Sequence, residues 1–284
     1  MTDAPYRFFD AEVLRTEPIT PAMVRVVLGG PDVARMATAG RDQRVKLFLP
    51  HPGQDAPVMP VIAEDSDDWY DAWRSMDVAV RGIMRTYTVR ELRRAPDELM
   101  LDFALHGDPD DPAAGPAARW ARTAAAGTRV GVLAPTGEEN GGYDFRPPAG
   151  TDWILLTADE SAIPAVAGIL EHLPPGTPAR VWIDVHDLTD RQLLPTKAEA
   201  EITWLVRGER DGRQDTPSTT DAIRAAVLPE GTPYAWIAGE SATVKAVRRH
   251  LVGERGFDRK AVRFTGYWRR GTSEDELLRA DEDA

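Results

Sequence analysis

The sequence predicts a two-domain β plus α/β protein, with an antiparallel β-barrel over residues 1–148 and a doubly wound parallel sheet over 149–284. Three observations carry this expectation. As far as Pro135 the apolar residues come in short alternating runs separated by Pro and Gly, with one helical interruption, which is the pattern of an antiparallel barrel. At Pro147-Pro148-Ala149-Gly150 the composition changes, as it does at a linker. Beyond that point strand and helix patterns alternate, and alternation of this kind produces a parallel sheet covered on both faces. A chain of 284 residues is long for one core and fits two.

In the first half, residues 6–16, 23–29 and 44–50 read as strands. Along the third, Arg44, Lys46 and Phe48 share one face and Val45, Leu47 and Leu49 the other, so one side is buried and the other meets something polar. Residues 51–80 are Pro-rich and then acidic; they read as a surface loop with a short helix around Trp69 to Trp73. The run Met84-Arg85-Thr86-Tyr87-Thr88-Val89-Arg90 is the next strand. Alternation places Arg85, Tyr87 and Val89 on one face and Thr86, Thr88 and Arg90 on the other. A cation beside an aromatic ring, with a hydroxyl next to them, is what a flavin needs: a planar donor fork, a body against its flat face, and a small donor near the ring nitrogen. A plain strand rich in Thr, Tyr and Val accounts for the hexapeptide equally well.

After the turn Pro96-Asp97-Glu98, the run Leu99 to Leu105 is a strand with Leu99, Leu101, Phe103 and Leu105 on one face. Gly115-Pro116 then opens a helix rich in Ala and Arg. Its start gathers free N–H groups and the positive end of the dipole, and Ala117 and Ala118 let a pyrophosphate approach the backbone closely. Residues 127–135 close the barrel.

The second half opens with a buried strand at 152–158 and a helix from Ser161 to Leu173 carrying Pro164 in its first turn. Strands follow at 179–185, 202–206, 234–238 and 261–265, with helices at about 218–228 and 240–255. No G-x-G-x-x-G is present, which disfavours an ordinary dinucleotide-binding dehydrogenase. Gly266-Tyr267-Trp268-Arg269-Arg270-Gly271 is expected to leave the last strand.

Composition narrows the chemistry. With no cysteine, disulfides, thiolate zinc sites and a cysteine-ligated iron–sulfur cluster within the chain are excluded. Five scattered histidines without metal-ligand spacing give no expectation of a protein-built metal site. The net charge of −12 argues against nucleic acid as a partner. No apolar run approaches the roughly 20 residues of a membrane span, and no secretory signal opens the chain, so a cytoplasmic protein that does not engage the membrane is expected. The charge is uneven. From Lys245 to Arg270 nine Lys and Arg face only Glu254 and Asp258, a solvated helix face or a surface for an anionic ligand.

Five blocks of this chain, in order, resemble the siderophore-interacting protein family of flavin-dependent ferric-siderophore reductases, relatives of the ferredoxin-NADP reductases. They are Arg85, Tyr87 and Thr88; His106-Gly107 with Gly115-Pro116-Ala117-Ala118-Arg119-Trp120; Thr157 to Ala165; Ala238-Gly239-Glu240; and Gly266 to Gly271 with Glu274-Asp275. The resemblance covers residues 6 to 275 and implies a ferredoxin reductase-like fold, FAD in the barrel and NADH or NADPH in the second domain. It implies FAD contacts at Arg85, Tyr87, Thr88, His106, Gly107, Ala117, Ala118 and Trp120, and places Trp268 beside the flavin or acceptor pocket. The reductant would meet Thr157, Asp159 and Ser161, although Asp159 and Glu160 also fit as plain N-terminal helix charges. Lys46, Arg269 and Arg270 are the candidates for contact with the acceptor, a ferric siderophore; Lys46 also fits as a solvent-facing barrel lysine. No catalytic acid or base is expected, because the flavin carries the chemistry. Two other classes share these features: a reductase serving a protein electron acceptor or free flavin, and a protein that binds a ferric siderophore without turnover.

Overall fold

The computed structural model describes residues 6–61, 68–105, 115–208 and 217–272. Two compact units form. The first comprises Met1–Ile19 with Val24–Tyr143, and the second Thr20–Met23 with Asp144–Ala284.

The first unit is a closed six-stranded barrel in the order β1-β2-β5-β4-β3-β6. Its strands are β1 (Tyr6–Thr20), β2 (Met23–Gly29), β3 (Arg44–Leu49), β4 (Ile83–Arg93), β5 (Glu98–Ala104) and β6 (Arg129–Pro135). Closure removes open edges. Period-two alternation sends Phe9, Val26, Leu28, Val45, Leu47, Leu49, Leu101, Phe103, Val130 and Val132 into one apolar core. Strand β1 runs four residues beyond the expected 16, because pairing rather than local pattern sets a strand's end. Two helices accompany the barrel, α1 (Trp69–Ser75) and α2 (Pro116–Thr123). Bidentate pairs fasten β5 to β2 next to it, Arg25 to Asp102 at 2.7 and 3.0 Å, and to β1 beyond that, Arg15 to Glu98 at 2.6 and 3.1 Å.

The second unit is a five-stranded parallel sheet in the order β11-β10-β7-β8-β9. Its elements are β7 (Trp153–Asp159), α3 (Ile163–His172), β8 (Pro178–Val185), β9 (Glu199–Val206), α4 (Thr219–Ala225), β10 (Pro233–Glu240), α5 (Ser241–Gly253) and β11 (Val262–Trp268). The order reverses between β7 and β10, and ligands of open α/β sheets bind at that switch point, outside the carboxyl ends of the strands. The chain enters this unit upstream of the double proline: Phe145 packs edge-on against Tyr234 at 5.5 Å, Arg146 N donates to the Tyr234 hydroxyl, and that hydroxyl donates to Asp144 O. One expectation is corrected. Gly266, Tyr267 and Trp268 do not leave the last strand but are its end, Gly266 paired with Gly239 and Trp268 with Glu240. The turn follows, closed by a bridge between Arg269 and Thr272.

Among the described residues no helix is long and apolar enough to cross a membrane, and no cluster of potential metal ligands occurs.

Candidate functional site

In the barrel, strand register decides what the Arg-x-Tyr-Thr run presents. Arg85 lies opposite Leu47 and Tyr87 opposite Val45, so both take the face that β3 turns toward the core. Thr86 and Thr88 lie opposite Lys46 and Arg44, on the other face. A bulge between Val89 and Glu91 ends this regular stretch, consistent with the way bulges re-aim side chains beside functional sites. The Tyr87 ring is half-buried, 4.1 Å from the Phe103 ring, and Phe103 in turn lies 5.6 Å from Trp120 on α2. This aromatic row carries the motif strand across to the helix. Arg85 is buried, and its Nη1 donates to Met84 O at 2.7 Å.

Among the described residues, Thr88 Oγ1 and Trp120 Nε1 are buried donors in this region without an acceptor. A buried polar atom without a partner is costly and calls for an explanation. The start of α2 adds to this. Its cap residue Gly115 supplies no side-chain hydrogen bond, Pro116 occupies the first turn, and a Cβ built on Gly115 would meet nothing within 4 Å. Ala117 and Ala118 are buried here. Uncapped N–H groups with open space before them suit a phosphate. A flavin dinucleotide, rich in acceptor oxygens and nitrogens, suits the Trp120 donor, the fork of Arg85 and this helix start, and the Thr88 hydroxyl offers a further donor from the opposite face of β4. Lys46 Nζ is 2.8 Å from Thr86 Oγ1 on the outer face. His106 and Gly107 lie outside the described residues.

The second unit has a crevice at the switch point, with a cavity of about 120 Å³ lined by Thr157, Ala158 and Asp159 from β7, Gly239 and Glu240 from β10, and Asp184, Arg207, Trp268 and Arg270 among others. Asp159 is its hub. One carboxylate oxygen accepts from Ser161 N at 3.0 Å and from the Ser161 hydroxyl; the other accepts from Glu240 N and from Trp268 Nε1, both at 2.8 Å. Glu240 caps α5, accepting from Ala242 N at 2.7 Å and Thr243 N at 3.1 Å. At the switch point the chain's own carboxylates thus cap α5 and the short 3-10 turn Glu160–Ala162 that leads into α3, in contrast to the start of α2. Of the expected residues, Thr157, Asp159 and Trp268 come together in the crevice, and the Ser161 N–H is turned inward onto Asp159 rather than offered outward. Arg269 and Arg270 are exposed at the end of β11.

Three charged residues complete this crevice. Glu160, 2% exposed, holds Arg207 Nη2 with both oxygens at 2.7 and 2.6 Å, and Arg207 Nε lies 2.6 Å from Asp184 Oδ1. Burial, only partly offset by Arg207, pushes the Asp184 carboxyl up to about 6. The Arg207 guanidinium is itself half-buried, which works against its charge, yet the two carboxylates hold its pKa above the ordinary value. Sequence reasoning missed this trio. Its one visible signal was an acid inside the apolar run Val181 to Val185 of a parallel strand, where a buried charge must have a partner.

Two family models match: "Siderophore-interacting FAD-binding domain" over residues 12–139 and "Siderophore-interacting protein" over 151–271. The ferric vibriobactin reductase of Vibrio cholerae is 29% identical over 93% of this chain and 90% of its own length. The NADPH-dependent ferric-chelate reductase of Escherichia coli is 30% identical over 92% of this chain and 93% of its own. Among solved structures, a siderophore utilization protein from T. fusca superposes with a TM-score of 0.74 at 36% identity, covering 95% of both chains.

Proposed function

We propose, for a chain that belongs to the siderophore-interacting protein family, that it is an FAD-dependent reductase that takes a hydride from NADH or NADPH and reduces Fe(III) in a ferric siderophore to Fe(II). The observation that carries the reading is the pair of buried donors without acceptors, Thr88 Oγ1 and Trp120 Nε1, in a barrel matched by an FAD-binding family model. One nicotinamide and two ferric centres balance: the hydride's two electrons leave as two single electrons, giving the oxidised nicotinamide, two Fe(II) and one proton. FAD supplies the change from paired to single electrons. The chain's residues bind and orient. Arg85 offers a buried cationic fork, Tyr87 an aromatic face, Thr88 a hydroxyl donor and the start of α2 its N–H groups to phosphate. In the second domain the Asp159 hub holds Ser161, Glu240 and the Trp268 indole in fixed relation, which shapes the crevice for the reductant. Fe(II) binds hard oxygen ligands more weakly than Fe(III), so release follows reduction and no protein acid or base is required. The reaction belongs in the cytoplasm, where reduced nicotinamide is available and a chain without cysteine forgoes nothing.

Anaerobic addition of NADH or NADPH to the purified holoprotein should bleach the flavin spectrum, and a ferric siderophore should restore it while an Fe(II) chelator develops colour. Recovery only with a protein acceptor would move the chain to the class of protein-coupled reductases. A protein that binds the ferric chelate but is never bleached would be a binding protein.

A further inference from the structure

We propose that the second domain takes its reductant with a free ribose 2′-hydroxyl, NADH in preference to NADPH, and that Asp184 is the residue that decides; this rests on the nicotinamide reading above. The placement comes from topology. Asp184 stands at the carboxyl end of β8, paired in register with Asp159 on β7, on the side of the switch point away from β10. In Rossmann dinucleotide sites the adenosine ribose lies over the end of the second strand, where an acidic side chain accepts from the 2′-hydroxyl and a nearby Arg accommodates a 2′-phosphate; this chain lacks their glycine fingerprint but places Asp184 and Arg207 at the same corner of the sheet.

The chain has an Arg there, Arg207, but it is already engaged. Its Nη2 is held by both oxygens of Glu160 and its Nε faces Asp184 at 2.6 Å, so one cation answers two carboxylates. Among the described residues, a 2′-phosphate arriving at this corner meets two carboxylates against one half-buried cation, so the charge of the guanidinium is already offset before the phosphate reaches it. The hydroxyl has no such difficulty. Asp184 Oδ2 accepts only weakly, from Thr219 Oγ1 at 3.2 Å. Asp184 Oδ1 is buried against Arg207 Nε at 2.6 Å, so Oδ2 is the oxygen left to accept a further donor. Capacity for one more donor is built into the crevice wall. Among the described residues the other lining cation, Arg270, belongs to the β11 side of the sheet, across β10 and β7 from Asp184.

The test uses the FAD-loaded protein. Anaerobic reduction by NADH and by NADPH is followed at the flavin band, and binding of 5′-ADP and 2′,5′-ADP is measured by calorimetry. NADH should reduce the flavin with a second-order rate constant about tenfold or more above that of NADPH, and 2′,5′-ADP should bind about tenfold or more weakly than 5′-ADP, the range expected for one charge-assisted hydrogen bond. Asp184→Ser should narrow both ratios while flavin content and reduction by dithionite stay at wild-type levels. Equal or better use of NADPH by the wild type, or ratios unmoved in a folded Asp184→Ser, overturns the assignment. If neither nucleotide reduces a flavin that dithionite does reduce, both the assignment and the nicotinamide reading fall. The wild-type calorimetry needs no variant and decides the matter should Asp184→Ser not fold.

Discussion

At the scale of one residue, the Thr88 hydroxyl distinguishes the proposed flavin site from a plain barrel wall. Thr88 Oγ1 is buried without an acceptor, a cost of roughly 1–3 kcal/mol for a stranded polar group. Thr88→Val removes the hydroxyl and keeps the shape. In the FAD-free protein it should therefore raise stability by about 1 kcal/mol, while affinity for FAD drops by about the worth of one hydrogen bond. Chemical denaturation of the apoprotein and a flavin titration read the two effects separately. Unchanged FAD affinity would place Thr88 away from the cofactor. The opposite signs matter, because a purely structural threonine would not weaken flavin binding when the fold became more stable.

At the scale of elements, the second domain depends on how closely β10 passes β7. Gly239 has φ +137°, and a Cβ on it would stand 2.6 Å from Asp159 Oδ2. That oxygen accepts from Glu240 N and Trp268 Nε1. An L-residue at Gly239 is strained by its backbone and drives the hub carboxylate away from two donors at once. Gly239→Ala should cost about 2–4 kcal/mol, combining backbone strain with a disturbed buried network, and thermal unfolding would measure it. The loss should be larger than for alanine at Gly176, where φ is +76° but a Cβ meets nothing within 4 Å. Equal losses at the two positions would remove Asp159 as the organising group.

Across the whole molecule, charge is the property that no single element owns. The chain carries −12 in total, yet residues from Lys245 to Arg270 hold nine basic side chains against two acidic ones. Lys245, Arg249, Arg259, Lys260, Arg263, Arg269 and Arg270 are all exposed. An acidic protein repels anionic ferric chelates except where a local field of the opposite sign draws them in. Such steering is screened over about 8 Å at physiological salt. Hence kcat/KM for an anionic ferric chelate should fall as ionic strength rises, and that for a neutral chelate should stay nearly flat. Arg269→Glu should lower the low-salt value for the anionic chelate alone. A salt dependence shared by both chelates would show that charge steering does not operate.

The sequence by itself determined the two-domain architecture, the strand runs and the faces of the Arg85 to Thr88 strand. Alternation and turn chemistry are local, so period-two runs, the Gly115-Pro116 opening and the double proline at 147–148 could be read directly. The family resemblance was legible for the same reason, since its blocks are short and contiguous. Tertiary structure alone decided what lay between distant residues. Arg207 is held by Glu160 and Asp184, which come from a turn and a neighbouring strand. The Ser161 N–H looked available for a phosphate until the Asp159 carboxylate turned back onto it, and Trp268 proved to be the last residue of β11, held by that same carboxylate. Hydrogen bonds and ion pairs between strands depend on register and burial, which no local pattern encodes. Hence the placement of the elements could be read from the chain, whereas the electrostatic character of the crevice appears only once β7, β8 and β10 lie side by side.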